Sequence, residues 1–485
     1  MSDLAFRPAV ELAALLRRRE MSCRELLEHY VGRVERLNSR INAVVTLDLE
    51  RARARADAAD AALARGDEVG PLHGLPMTIK DSFETAGLRT TSGSPSLAEH
   101  VPTTDATAVA RLVAAGAVVF GKTNLPVFAM DVQSFNPLFG ATNNPWNTAR
   151  SPGGSSGGAA AAVAAGLTSF ELGSDIGGSI RNPSHYCGVY GHKPTFGIVP
   201  QRGHIPGPPG YLTGPDINVI GPIARSADDL EYALDVLAGP DDADGVAWRL
   251  ALPPPRRTRL ADYRIAAWLD DAEFPTDAAV LARFEAATDA LERAGAKVDR
   301  RARPGFALGE AYREYVALLS AATSPGVPPK AFDARVAMAD QLDPSDTGLI
   351  PTLVRGTTLR HRHWLGANER RARYRMQWAE FFRSYDALLC PITPVPAIPH
   401  DHEGEFAERS ITVNGERRPY ANQLVWAGVI GMAYLPGTVA PVGRTSDGLP
   451  VGMQIVGPYL EDRTPIDVAR RLGDLIGGFE PPPGF

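Results

Sequence analysis

Residues 151–184 begin Ser-Pro-Gly-Gly-Ser-Ser-Gly-Gly, continue as an alanine-rich run to Leu167, and close on Glu-Leu-Gly-Ser-Asp-Ile-Gly-Gly-Ser-Ile-Arg-Asn-Pro-Ser. Glycine pairs around serines let the backbone take conformations closed to other residues and come within contact distance of a ligand. The alanine and glycine between them imply tight packing and not a membrane span. At Asp175-Ile-Gly-Gly-Ser179 two glycines directly precede a serine. Such a turn can aim successive N–H groups at one point, which is what an oxyanion needs.

The flanking sequence must build a frame around this segment. Ser22 and Glu25 form a capping-box pattern, after which Leu26, Leu27, Tyr30, Val34, Leu37 and Ile41 recur at helical spacing. Leu49 to Arg65 reads as a second, weakly hydrophobic helix covering the outside of a core. From Leu72 short apolar runs alternate with helices: Leu75 to Ile79, a helix from Ala106 to Ala115, then Ala117 to Phe120. The same grammar returns as a strand at Arg264 to Leu269, a helix from Asp277 to Ala294 and a strand beginning near Lys297. Strands alternating with helices predict an α/β sheet with helices packed on its faces. The Pro/Gly-rich stretches Pro200 to Pro215 and Gly239 to Arg257 read as surface loops of one domain.

At 485 residues the chain can bury a sizeable core, and its net charge of −6 gives no global pull toward nucleic acid. Its 3 cysteines, Cys23, Cys187 and Cys390, are odd in number and lack CxxC spacing, which fits a reducing compartment. The first residues lack the basic-then-apolar order of a secretory signal, so a cytoplasmic enzyme acting on a small molecule is expected.

The stretch Gly153 to Ser184 resembles the signature of the amidase signature family. The resemblance continues at Leu75-Pro-Met-Thr-Ile-Lys80-Asp81, Gly121-Lys-Thr-Asn124, Asn144-Pro-Trp146, Gly448-Leu-Pro-Val-Gly452 and Gln454-Ile-Val-Gly-Pro458. It implies an α/β fold of one large domain, a mixed sheet covered by helices on both faces. Within it, residues 1–65 would be a helical cover, 70–260 a catalytic core holding the signature at 153–184, 261–400 a β-α-β unit with a variable substrate region, and 401–485 a return to the core. It also implies amide hydrolysis through an acyl-enzyme on Ser179, with Ser155 as relay and a neutral Lys80 as base; Ser156 is the rival for the relay. The Gly154–Ser155 peptide should be cis. The N–H groups of Ile176, Gly177, Gly178 and Ser179 would form the oxyanion hole, with Asp175 and Arg181 supporting the turn.

Physical chemistry asks for the same roles. A serine hydroxyl is a poor nucleophile until a base takes its proton, and lysine is a base only when neutral. Lys80 closes an apolar run, which suits burial, although Asp81 would oppose a lowered pKa if it faced the amine. Asp81 is expected to point elsewhere.

Other motifs compete less well. Gly116 to Thr123 satisfies the letter of GxxxxGK[ST], but Val118, Val119 and Phe120 read as the strand itself, lying between the two glycines. His185 and His192 invite a Ser-His-Asp triad, yet could reach Ser179 only if the chain folded straight back. His361 and His363, like His400 and His402, have alternating spacing but no further ligands nearby, so no metal and no cofactor are expected. Arginines from Arg355 to Arg375 read as a solvated helix face.

One branch of the family is the glutaminase subunit of a tRNA-dependent amidotransferase. It usually carries acidic residues after Gly-Lys-Thr-Asn, where this chain has Pro126 and Val127. That glutaminase, or another partner-dependent module, remains the alternative to a stand-alone amidase, whose acyl-enzyme chemistry would extend to esters, anilides or carbamates. Pocket candidates are Met130, Asp131 and Trp426, the stretch Phe128 to Phe135, and the loop around Ile205 to Leu212 with Tyr211. They favour an apolar or aromatic amide over glutamine. The expected partners are that small amide and water as second substrate, with no nucleic acid and no membrane; a homodimer is compatible with this picture.

Overall fold

The computed structural model describes residues 4–205, 209–343 and 345–485. Helix α1 (Ala9–Arg17) precedes α2 (Cys23–Ile41), which starts on the expected capping box: the Glu25 N–H donates to Ser22 Oγ at 3.1 Å and the Ser22 N–H to Glu25 Oε2 at 2.9 Å. Next come β1 (Val44–Leu47), α3 (Leu49–Arg65), β2 (Pro76–Lys80), α4 (Thr107–Ala114) and β3 (Val118–Thr123). These strands form a separate three-stranded sheet, ordered β1-β3-β2, with β2 parallel to β3. The alternation of strands and helices is legible in the sequence, whereas their placement outside the main sheet is not.

A short hairpin, β4 (Phe135–Asn136) and β5 (Gly140–Ala141), leads to α5 (Gly157–Ala164), β6 (Glu171–Asp175) and α6 (Arg181–Cys187). Then follow β7 (Tyr190–Lys193), β8 (Val219–Ala224), α7 (Ala227–Leu237), β9 (Arg264–Ala267), α8 (Ala278–Arg293) and β10 (Lys297–Asp299). The middle of the chain is helical: α9 (Leu308–Thr323), α10 (Pro329–Ala339), α11 (Leu349–Thr357) and α12 (His361–Ser384). The remainder is β11 (Ala387–Cys390), the hairpin β12 (Ser410–Val413) and β13 (Glu416–Pro419), α13 (Val425–Met432), β14 (Gly437–Arg444), β15 (Pro450–Val456) and α14 (Arg463–Ile476).

Eight strands make the main sheet, in the order β10-β9-β11-β15-β14-β7-β8-β6. It is mixed: β10, β9 and β11 are parallel, and every neighbouring pair from β11 to β6 is antiparallel. Successive strand residues point to opposite faces, and here they enter different cores. Ile265 and Leu389 join a cluster with Phe284, Val163 and Leu230, whereas Ala266, Trp268, Leu388 and Cys390 join one with Tyr315, Trp378 and Trp426. Helices therefore cover both faces. Along β6 every residue is buried, and the chain leaves it directly into the Asp175 to Ser179 turn.

Candidate active site

Lys80 ends β2 as a fully buried lysine. Its Nζ lies 2.7 Å from Ser155 Oγ, 3.0 Å from Ser156 Oγ and 2.9 Å from Ser174 Oγ. All three partners are hydroxyls, and among the described residues no carboxylate makes an ion pair with the amine. Burial lowers the amine from 10.5 to about 7, while the more distant Asp175 and Glu171 pull it back upward. Asp81 is turned away as expected: its Oδ2 accepts from the Thr91 N–H at 3.1 Å and the Thr91 hydroxyl at 2.5 Å. Its charge bears instead on Lys122, whose Nζ donates to Phe83 C=O and Thr85 Oγ1.

Two titratable groups near Lys80 have no role in the sequence reading. Glu171, at the start of β6, is completely buried, and burial lifts its carboxyl to about 7. The ring nitrogens of His204 are buried without a partner among the described residues; burial, then the nearby Lys80, holds the imidazole down at about 3. Ser174 is a third addition. It stands one residue before Asp175 without a glycine pair to mark it, and its position on β6 turns its hydroxyl to the lysine.

The signature loop is pinned from several sides. The Gly154–Ser155 peptide is cis. Ser134 Oγ donates to Gly153 C=O at 3.0 Å and accepts the Gly157 N–H at 3.0 Å. The Ser156 N–H donates to Ser179 C=O at 3.1 Å, which sets Ser179 beside the Ser155–Ser156 pair. The Ser179 hydroxyl itself makes no hydrogen bond among the described residues, and Ser179 is 8 % exposed.

Asp175 organises the turn. Its carboxylate accepts from the N–H groups of Gly178 (2.8 Å), Ile180 (3.1 Å) and Arg181 (3.3 Å), and from Arg181 Nε and Nη2 at 2.9 and 2.8 Å. Burial alone would raise this carboxyl; the Arg181 guanidinium, then Lys193, more than reverse it and hold it at about 2. Arg181 Nη1 continues to Ala427 C=O at 2.9 Å and Gln454 Oε1 at 2.7 Å. Gly178 sits at φ +111°, where a side chain would be strained. Of the four N–H groups expected to form an oxyanion hole, one is already engaged within the protein. The Gly178 N–H is committed to Asp175, so the unbonded N–H groups of the turn among the described residues are those of Ile176, Gly177 and Ser179.

The pocket candidates fare differently. Met130 is 55 % exposed. Asp131 is engaged within the protein: it pairs with Arg409 and accepts from the Tyr420 hydroxyl at 2.9 Å and the Gln133 N–H at 3.1 Å. Trp426 is 3 % exposed and packs edge-on against Trp268 at 5.1 Å, a core position on the helix behind the turn. Of the loop around Ile205 to Leu212, residues 206–208 lie outside the described residues, and Tyr211 is exposed. His185 is bonded at Gly452 and Val395, and His192 at Thr438 and Asp462. Lys122 and Thr123 lie within β3, not in a phosphate-binding loop. Among the described residues no group of three or more His, Cys, Asp or Glu side chains could hold a metal ion, and no helix is long and apolar enough to cross a membrane.

Known proteins share this architecture. The family model described as Amidase matches residues 25–465. A glutamyl-tRNA(Gln) amidotransferase subunit from Geobacillus kaustophilus is 34 % identical over 482 residues, covering 95 % of each chain. Among solved structures, a bacterial aryl acylamidase of the amidase signature enzymes superposes with a TM-score of 0.80 at 25 % identity, covering 97 % of this chain and 96 % of that one. A chain from a vestigial protein complex bearing on the origins of an s-triazine catabolic enzyme matches with a TM-score of 0.79 at 29 % identity, covering 98 % and 100 %.

Proposed function

The chain belongs to the amidase family and is an amide-hydrolysing enzyme, and from that premise we propose that Ser179, Ser155 and Lys80 carry the reaction. The observation behind this reading is the buried amine of Lys80 at 2.7 Å from Ser155, surrounded by hydroxyls and lowered to about 7. The Lys80 lone pair takes the Ser155 proton while Ser155 takes that of Ser179, and the Ser179 oxygen attacks the amide carbon. The N–H groups of Ile176, Gly177 and Ser179 face the oxygen that becomes negative. Collapse returns the proton through Ser155 to the leaving amine, and water repeats the sequence to release the acid.

Substrates are small amides with an apolar or aromatic group. The exposed Met130 is the one pocket candidate of the three that the surrounding residues leave free. Three buried free thiols agree with a cytoplasmic setting.

A second reading has its own support, since the amidotransferase subunits match over 95 % of this chain. Purified protein alone, offered aryl amides and glutamine, separates the two. Turnover of aryl amides with fluorophosphonate labelling of Ser179 supports the amidase. Inertness until the other amidotransferase subunits are added, followed by glutamine hydrolysis, overturns it in favour of the glutaminase.

A further inference from the structure

The turn after β6 is clamped on one side by Asp175, which holds the N–H groups of Gly178, Ile180 and Arg181. The Ile176–Gly177 peptide lies beyond that reach. Its carbonyl accepts the Tyr315 hydroxyl at 3.3 Å, from α9. We propose that Tyr315 is a positioning residue for amide hydrolysis, fixing the Ile176–Gly177 peptide so that its N–H faces the developing oxyanion; this rests on the reading of the turn as the oxyanion hole.

Peptide planarity carries the step. In a trans peptide the C=O and N–H point in opposite directions, so holding the Ile176 carbonyl toward α9 aims the Gly177 N–H away from it. That N–H is one of the three in the turn with no acceptor among the described residues. The fit around the ring is close. A Cβ at Gly177 would come within 2.6 Å of the Tyr315 hydroxyl, and one at Gly428 of α13 within 2.3 Å of its ring. Two glycines thus leave the notch that Tyr315 fills, and the residue is fully buried. Tyr312, one turn earlier, donates instead to Ala421 C=O at 3.0 Å and makes no hydrogen bond to the turn. Burial, with Asp175 nearby, pushes the Tyr315 phenol well above its ordinary value, so it remains a neutral donor through the working pH range.

The test compares Tyr315→Phe with Tyr312→Phe, using an aryl amide and a trifluoromethyl ketone whose adduct on Ser179 bears an oxyanion. A hydrogen bond of ordinary net strength predicts that Tyr315→Phe lowers kcat about 2- to 12-fold. KM should change little, and ketone affinity should fall by the same factor as kcat/KM. Tyr312→Phe should match the wild type in all three. Gly428→Ala, whose methyl displaces the ring, should reproduce the Tyr315→Phe loss and serves if that variant folds poorly. Wild-type kcat and ketone affinity in both Tyr315→Phe and Gly428→Ala would overturn the role of Tyr315 while leaving the oxyanion hole standing. Failure of the ketone to inhibit the wild type, with activity surviving in Ser179→Ala, would instead overturn the reading of the turn and the proposal with it.

Discussion

Helices α5 and α10 are both short, yet they belong to different kinds of protein surface. All of α5, from Gly157 to Ala164, is buried, and it is built entirely of glycine, alanine and one valine. Among its residues α10, from Pro329 to Ala339, has none buried and carries Val336 and Met338 exposed. A helix packed against β6, β8, α6 and β2 at once has no room for larger side chains, because interiors are close-packed and one methylene is felt. A helix facing water has no such limit. The chemistry sits with the first kind of region, and the second is where composition can drift.

That division can be broken experimentally. Ser179→Ala should lower turnover about 10⁴-fold or more and abolish fluorophosphonate labelling, with an unchanged thermal midpoint. Lys80→Ala should lower the rate about 10²- to 10⁴-fold, as expected for loss of a general base. Next comes Gly177→Val, which removes the notch for Tyr315 and disturbs the turn; single-turnover acylation should slow about 10²- to 10³-fold.

The pH profile refines the comparison within the buried region. With Lys80 at about 7, protonation below that value removes the base, so kcat/KM should fall roughly tenfold per pH unit on the acid side. Glu171→Gln removes the charge that Glu171 carries near and above pH 7 and that raises Lys80, so the upper end of this limb should move to lower pH; an upper end that stays put would deny Glu171 any influence on the amine. Because the native state binds fewer protons than the unfolded chain between about 7 and 10.5, Lys80's share of stability should rise with pH across that window. The smallest effects belong to α10. Val336→Lys and Met338→Lys should change unfolding free energy by no more than about 0.5 kcal/mol and leave kcat alone. A loss of kcat there comparable to that of Gly177→Val would erase the contrast.

The same contrast explains what can be read from sequence. Where backbone must approach backbone, only the smallest residues fit, so the requirement is written directly as Gly-Gly-Ser. Helix α2 is equally plain because Ser22 and Glu25 cap each other locally. Helix α1, whose Pro8 cap makes no side-chain hydrogen bond, carries no such mark. The commitment of the Gly178 N–H is accessible in principle, since an aspartate commonly accepts from N–H groups a few positions ahead. The Asp131–Arg409 pair is not, because its partners are separated by 278 positions and only the fold joins them. Trp426 shows the limit of residue type alone, which cannot tell a pocket wall from a core.

The position of β15 has a consequence for biosynthesis. It is made after every other described strand, yet it joins the parallel part of the sheet at β11 to the antiparallel part at β14. Its Gln454 also receives Arg181, the side chain that grips Asp175. A ribosome-bound chain that has not yet exposed residue 454 holds Lys80, Ser155 and Ser179 but lacks the strand that locks their support. Because chains fold as they emerge, the nascent protein should stay hydrolytically silent until β15 has slotted into the middle of the sheet.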